Sequence, residues 1–141
     1  MHAFPLTALE EYMLCDDHPA FPMTGIVRLR FSGFLDQAAW EAAVNTAVQR
    51  HLLLRTTVRG QHGRRLYWVD QPDWRPKVHW HAPTNGWGFP PAGYIDLREE
   101  PGTRFWGVQR DDGHDVVLQV HHAGADATGL SRLMEDLLVA Y

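Results

Sequence analysis

The chain has 141 residues, 45% hydrophobic and 21% charged, with a formal net charge of -4 when histidine is neutral. That length suits one compact domain, and that composition excludes a disordered chain. The negative charge, with no basic cluster to offset it, excludes a phosphate backbone as the main partner, so no nucleic acid is expected.

The opening "MHAFPLTALEEYML" carries Glu10 and Glu11 where a secretory signal needs an apolar run. Thr7 and Glu10 have the Thr-x-x-Glu spacing of a capping box, so a helix is expected to start there. Leu9, Tyr12 and Met13 then share one face, expected to dock on a core. The single cysteine, Cys15, falls on this helix and is expected to be buried. A lone cysteine excludes an internal disulfide and fits a reducing compartment.

In "TGIVRLRFSG", Val27, Leu29 and Phe31 alternate with Arg28 and Arg30, the pattern of a strand with one wet face. "FLDQAAWEAAVNTAVQRH" is the clearest helix. Asp36 is its N-cap, Leu35 and Trp40 form a staple, and Trp40, Ala43, Val44, Ala47 and Val48 form the buried stripe. "LLLRTTVRGQHGRRLYWVD" reads as a hairpin turning between Gly60 and Gly63. From Gln71 to Tyr94, five prolines and three glycines break the order, and "KVHWH" is the one strand candidate there.

"TRFWGVQRDDGHDVVLQVHH" reads as a second hairpin with Asp112-Gly113 at its turn. "GLSRLMEDLLVAY" puts Leu130, Leu133, Met134, Leu137, Leu138 and Tyr141 on one helical face. No segment reaches the ~18 apolar residues of a membrane span. The expectation is a soluble, cytoplasmic α+β protein: a two-layer sandwich of a largely antiparallel sheet with packed helices.

The stretch that invites chemistry is "VVLQVHHAGADATGL". Val116, Leu118 and Val120 share one face of a strand, and His122 continues that face into a loop before the last helix. An imidazole at a strand end can take a proton from a hydroxyl, amine or thiol near neutral pH. Asp126 lies on the same loop and can either orient that imidazole or hold the loop's shape. The structural alternative, a histidine satisfied at a strand end, stays open. So does a metal site drawing on His79 and His81 of "HWH" with His121 and His122, although the leading reading assigns no metal. Cys15 has no histidine placed beside it by sequence, and no glycine-rich phosphate loop is present.

"HHAGAD" resembles the His-His-x-x-x-Asp signature of the condensation domains of nonribosomal peptide synthetases and their relatives, which share the chloramphenicol acetyltransferase-like fold. "PLTALEEYML", "AVQRHLLLRTTV" and "IDLREEPGTRFWGV" resemble further family segments in the same order, so the likeness runs over nearly the whole chain. It implies that residues 1–141 are the N-terminal lobe of such a domain, an acyltransferase whose second lobe lies outside this chain. The implied reaction moves an acyl group from a thioester to an amine or hydroxyl. The donor would be coenzyme A or carrier-protein phosphopantetheine, taken as a co-substrate, with no tightly bound cofactor. His122 would be the catalytic histidine, His121 its support, and Asp126 a structural carboxylate paired with Arg55.

The implied partners are the acyl donor, the acceptor, a carrier protein, and either the missing lobe or a second copy of the chain. Two departures stand out: Ala127 replaces the family's glycine after the aspartate, and the connection from Ala82 to Tyr94 is short. The alternative function is a catalytically inactive binding or scaffold module that keeps the fold.

Overall fold

The computed structural model describes residues 2–60, 65–82 and 93–141. The elements in chain order are β1 (Ala3–Pro5), α1 (Ala8–Asp16), β2 (Thr24–Ser32), α2 (Gln37–Arg50), a 3-10 turn (Leu52–Arg55), β3 (Thr56–Arg59), β4 (Tyr67–Asp70), β5 (Val78–His81), β6 (Thr103–Arg110), β7 (Gly113–His121) and α3 (Ala127–Ala140). The α+β class holds, with a finer division than the sequence suggested: the strands form two sheets. One runs β2-β7-β6-β5 and the other β1-β4-β3. Pairing is antiparallel except between β5 and β6, which run parallel.

The larger sheet carries α2 and α3 on one face. Trp40, Val44, Ala47 and Val48 of α2 and Leu133 and Leu137 of α3 meet Phe105, Val116, Leu118 and Val120 in one core. The alternation in β2 is what puts Leu29 and Phe31 against that core. The opposite face is less wet than the period-2 pattern implied, because Arg28 and Arg30 turn onto Asp115, which Arg110 also reaches at 3.0 Å. β7 runs through the middle of the sheet and is buried along its whole length. Burial on both faces demands that its polar side chains find partners, and Gln119 donates to the Gly93 carbonyl at 2.8 Å.

The hairpin of β6 and β7 forms where Asp112-Gly113 placed it. A side chain at Gly113 would collide with the backbone of Phe31 and Gly33, so this glycine lets β2's exit pass close to the turn. The smaller sheet closes a second core of Leu6, Val58, Leu66, Trp68, Ile95, Leu97 and Ala123. The "LLLR" half of the first expected hairpin is a 3-10 turn rather than strand, and only Thr56–Arg59 pairs with β4. Gly60 has φ +128°; residues 61–64, where the turn was expected, lie outside the described residues.

The capping box at the start of α1 is complete. The Thr7 amide donates to Glu10 Oε2 at 2.6 Å, and the Glu10 amide to Thr7 Oγ1 at 3.3 Å. Its face differs from expectation. No α1 residue is buried, Leu9 is 63% and Tyr12 61% exposed, and Cys15 is exposed. Met13 and Leu14 contact the second core instead. Among the described residues no helix is long and apolar enough to cross a membrane.

Candidate functional site

A cavity of about 500 Å3 opens where α1, the 3-10 turn and the loop after β7 meet. Leu9, Met13 and Leu53 give it apolar walls, and His51, His122 and Asp126 bring polar groups to it. The structure therefore brings His122 and Asp126 to one space, as the sequence suggested.

His121 and His122 separate completely. His121 ends β7 and has no exposed surface. Its Nδ1 accepts the Ala123 amide at 3.1 Å, so the proton sits on Nε2, which faces Asp17 Oδ2 at 3.3 Å. That approach lies within ion-pair range but outside hydrogen-bond alignment. Burial pushes the His121 pKa below the usual value of 6.5, against the opposing pull of Asp17. The His121 ring is thus enclosed between the Ala123 amide and the Asp17 carboxylate.

His122 leaves the strand and is exposed. Its amide donates to the Met23 carbonyl at 2.8 Å, which continues the β2–β7 pairing by one residue. Its ring lies over Gly25, where a Cβ would stand 3.5 Å from Nε2. The backbone is fixed while the imidazole is open to the cavity. That combination suits proton transfer to or from a bound molecule.

The expected pairing of Asp126 with Arg55 is corrected. Asp126 is the N-cap of α3: its Oδ1 accepts the Gly129 amide at 2.7 Å, and its side chain is exposed. α3 therefore begins two residues earlier than the sequence indicated. Arg55 instead forms a two-point pair with Asp70, Nε to Oδ1 at 2.8 Å and Nη2 to Oδ2 at 3.3 Å. It also donates to the carbonyl and side-chain oxygens of Gln49 at 2.6 and 2.8 Å. Asp70 takes the place expected for Asp126, because the register Thr56↔Asp70 brings it beside Arg55.

Ala127 begins α3 directly after the cap. Among the described residues no non-glycine residue has positive φ, so this position does not need glycine's freedom.

Three groups were missed. Arg50 and His51, which line the cavity, both hold Asp136 of α3 at 2.9 Å. The hydrogen bond from His51, then that from Arg50, lowers the Asp136 pKa from 3.8. They lie in the quoted "AVQRHLLLRTTV", which was the available signal. Asp17 is the third, and no local pattern marks it. His79 and His81 are exposed on β5. Among the described residues no group of three or more His, Cys, Asp or Glu side chains converges on one point.

No family model matches the chain. An uncharacterized protein of Mycobacterium tuberculosis is 29% identical over 96% of the chain. A linear gramicidin synthase of Brevibacillus parabrevis is 27% identical over 99% of it. Among solved structures, the X-domain of teicoplanin biosynthesis, in complex with OxyB, superposes with a TM-score of 0.82 at 25% identity, over 100% of this chain and 33% of that one. The epimerization domain of the third module of tyrocidine synthetase B superposes equally well, with a TM-score of 0.82 at 19% identity, over 99% of this chain and 34% of that one. The chain has a condensation-domain-like fold. It spans 33% of the mycobacterial relative and 2% of the gramicidin synthase, so it is similar to one part of each.

Proposed function

We propose that this chain is the histidine-bearing lobe of a condensation-type acyltransferase. His122 carries the reaction. A thioester, on coenzyme A or a phosphopantetheine arm, presents its carbonyl carbon to an amine or hydroxyl in the cavity. As the acceptor's C–N or C–O bond forms, His122 takes the acceptor's proton; as the C–S bond breaks, the thiolate leaves and takes that proton from His122. The observation that carries the reading is the fixed backbone and open ring of His122 at the cavity wall. The relatives' greater length favours a second lobe, or a second copy of the chain, as the facing wall. Leu9, exposed at the cavity, and exposed Tyr12 and Val139 fit apolar contact with such a wall.

The test is product formation from a thioester-loaded carrier or coenzyme A and an amine acceptor, with the whole protein. His122→Ala is expected to lower turnover by about 10²-fold or more, the scale of losing a general base, with the fold intact. Equal turnover of variant and parent sinks the reading. A second reading, a binding module without chemistry, is favoured by the similar X-domain whose structure is a complex with OxyB. It predicts partner binding that survives His122→Ala.

A further inference from the structure

Asp17 lies 105 positions before His122, yet it borders the same strand end. It caps the C-terminus of α1 with extended backbone, and its side chain is only 3% exposed. A carboxylate so far from water must be used by its surroundings. Oδ1 accepts the Met23 amide at 2.7 Å. Oδ2 faces Nε2 of His121 at 3.3 Å. The Tyr94 hydroxyl donates to it as well; burial and then this bond to Asp17 raise the Tyr94 pKa to about 12.

Met23 is the link that matters. Its N–H is held by Asp17 and its carbonyl receives the His122 N–H at 2.8 Å. The carboxylate closes the loop from residue 17 to residue 23, and the end of that loop sets the height of the His122 backbone. It also meets His121, one residue before His122. Asp17 thus restrains the His122 turn from both strands that bound it.

We infer that Asp17 is the positioning residue of the site: its buried carboxylate fixes Met23 and His121, and through them the place of the His122 imidazole above Gly25. The inference rests on the proposed role of His122 for its catalytic consequence, but its geometric content does not. Asp17 touches no reacting group. Its effect is transmitted through Met23 and His121, and misplacement by about 1 Å is enough to cost on the order of 10²-fold in rate.

Two measurements separate this assignment from the functional reading. The first needs no reaction: carbethoxylation of His122 by diethyl pyrocarbonate, followed by peptide mass spectrometry, with exposed His79 as internal reference. In Asp17→Ala, the His122 rate relative to His79 is expected to rise severalfold as the turn loosens. Asp17→Asn, which keeps volume and one acceptor oxygen for Met23, is expected to fall between Asp17→Ala and the parent. Should Asp17→Ala fail to fold, Asp17→Asn carries the comparison with the parent by itself. An unchanged relative rate in the folded variant overturns the assignment. The second is turnover: kcat is expected to fall about tenfold or more with KM within twofold, and Asp17→Asn to retain more of kcat than Asp17→Ala. A loss carried by KM instead overturns the positioning role. If His122→Ala turns over normally, the acyltransfer reading fails, while the labelling result still decides whether Asp17 places His122.

Discussion

Asp70 and Asp126 are two carboxylates in opposite surroundings. Asp70 lies at the end of β4, 6% exposed, and takes the fork of Arg55. Asp126 stands at the surface and uses one oxygen to cap α3. Family resemblance joined Arg55 to Asp126, because the matching arginine lies beside the signature in relatives. Burial decided otherwise. A guanidinium leaving water needs an anion that has also left water, and the hairpin register supplied one fifteen residues away. The histidine loop is therefore held by a helix cap and by Asp17, while the arginine pair locks the 3-10 turn to the smaller sheet.

The largest effect that sharpens this contrast comes from Arg55. Arg55→Ala leaves Asp70 buried without its cation and two oxygens of Gln49 without donors. An uncompensated buried charge costs about 3–5 kcal/mol, and chemical denaturation should show a loss of that order. Asp70→Asn in the same background removes the stranded charge and should restore part of it. A loss below about 1 kcal/mol would mean that the pair is wet in solution.

The next effect is a pH dependence tied to the buried side of the contrast. His121 and His114 both have a pKa lowered from 6.5, first by burial; Asp17 opposes the shift at His121 and Arg110 adds to it at His114. Both accept a backbone amide at Nδ1, from Ala123 and Leu35 respectively, so protonation breaks a bond in each case. A depressed folded pKa means that the unfolded chain binds protons first as pH falls. Stability from both groups is therefore complete above 6.5 and is lost progressively as pH drops from 6.5 through the folded values. The two act in the same direction. Thermal melts at pH 7.5, 6.5 and 5.5 should fall in that order, and a melting point rising toward pH 5.5 would contradict the neutral, buried state of these rings. The Asp136 contribution is lost in a lower window, below 3.8.

Much of the fold was legible because it is local. All five α2 residues read as its buried stripe are buried, since a 3.6-residue period leaves little freedom once Asp36 fixes the start. The Thr7–Glu10 box and the alternation of β2 are equally local. His122 was legible from its place after an apolar strand. What was not legible depends on distant pairing. The parallel β5–β6 contact and the split into two sheets are set by connections, not by periodicity. Leu9 and Tyr12 have a helical spacing that would serve a core, but α1 meets the second core through Met13 and Leu14, and Leu9 and Tyr12 stay exposed. Asp70 was not legible either: a turn between Gly60 and Gly63 sets Arg55 opposite Trp68, whereas the observed register sets Thr56 opposite Asp70. Nor was Asp17, because its burial arises from the meeting of α1's end, β7 and Tyr94.

The smallest effect belongs to the exposed side. The family-based expectation is that Asp126 anchors an arginine, which would make Asp126→Ala as damaging as breaking a buried pair. The structure gives it a lesser duty: it satisfies the Gly129 amide and sets the first turn of α3. Losing an N-cap costs about 1 kcal/mol, because water can still reach the freed amide at an exposed helix start. Asp126→Ser keeps a capping oxygen and should lose less than half of that. Both variants should keep α3 docked, since Leu133 and Leu137 lie well inside the core. The cavity wall changes more than the stability does: His122 stays fixed through Met23, while the negative charge beside it is gone. Urea titration of the alanine and serine variants decides the matter. A loss above about 3 kcal/mol for Asp126→Ala, shared by Asp126→Ser, would require a buried partner for Asp126 and would overturn its assignment as a surface cap.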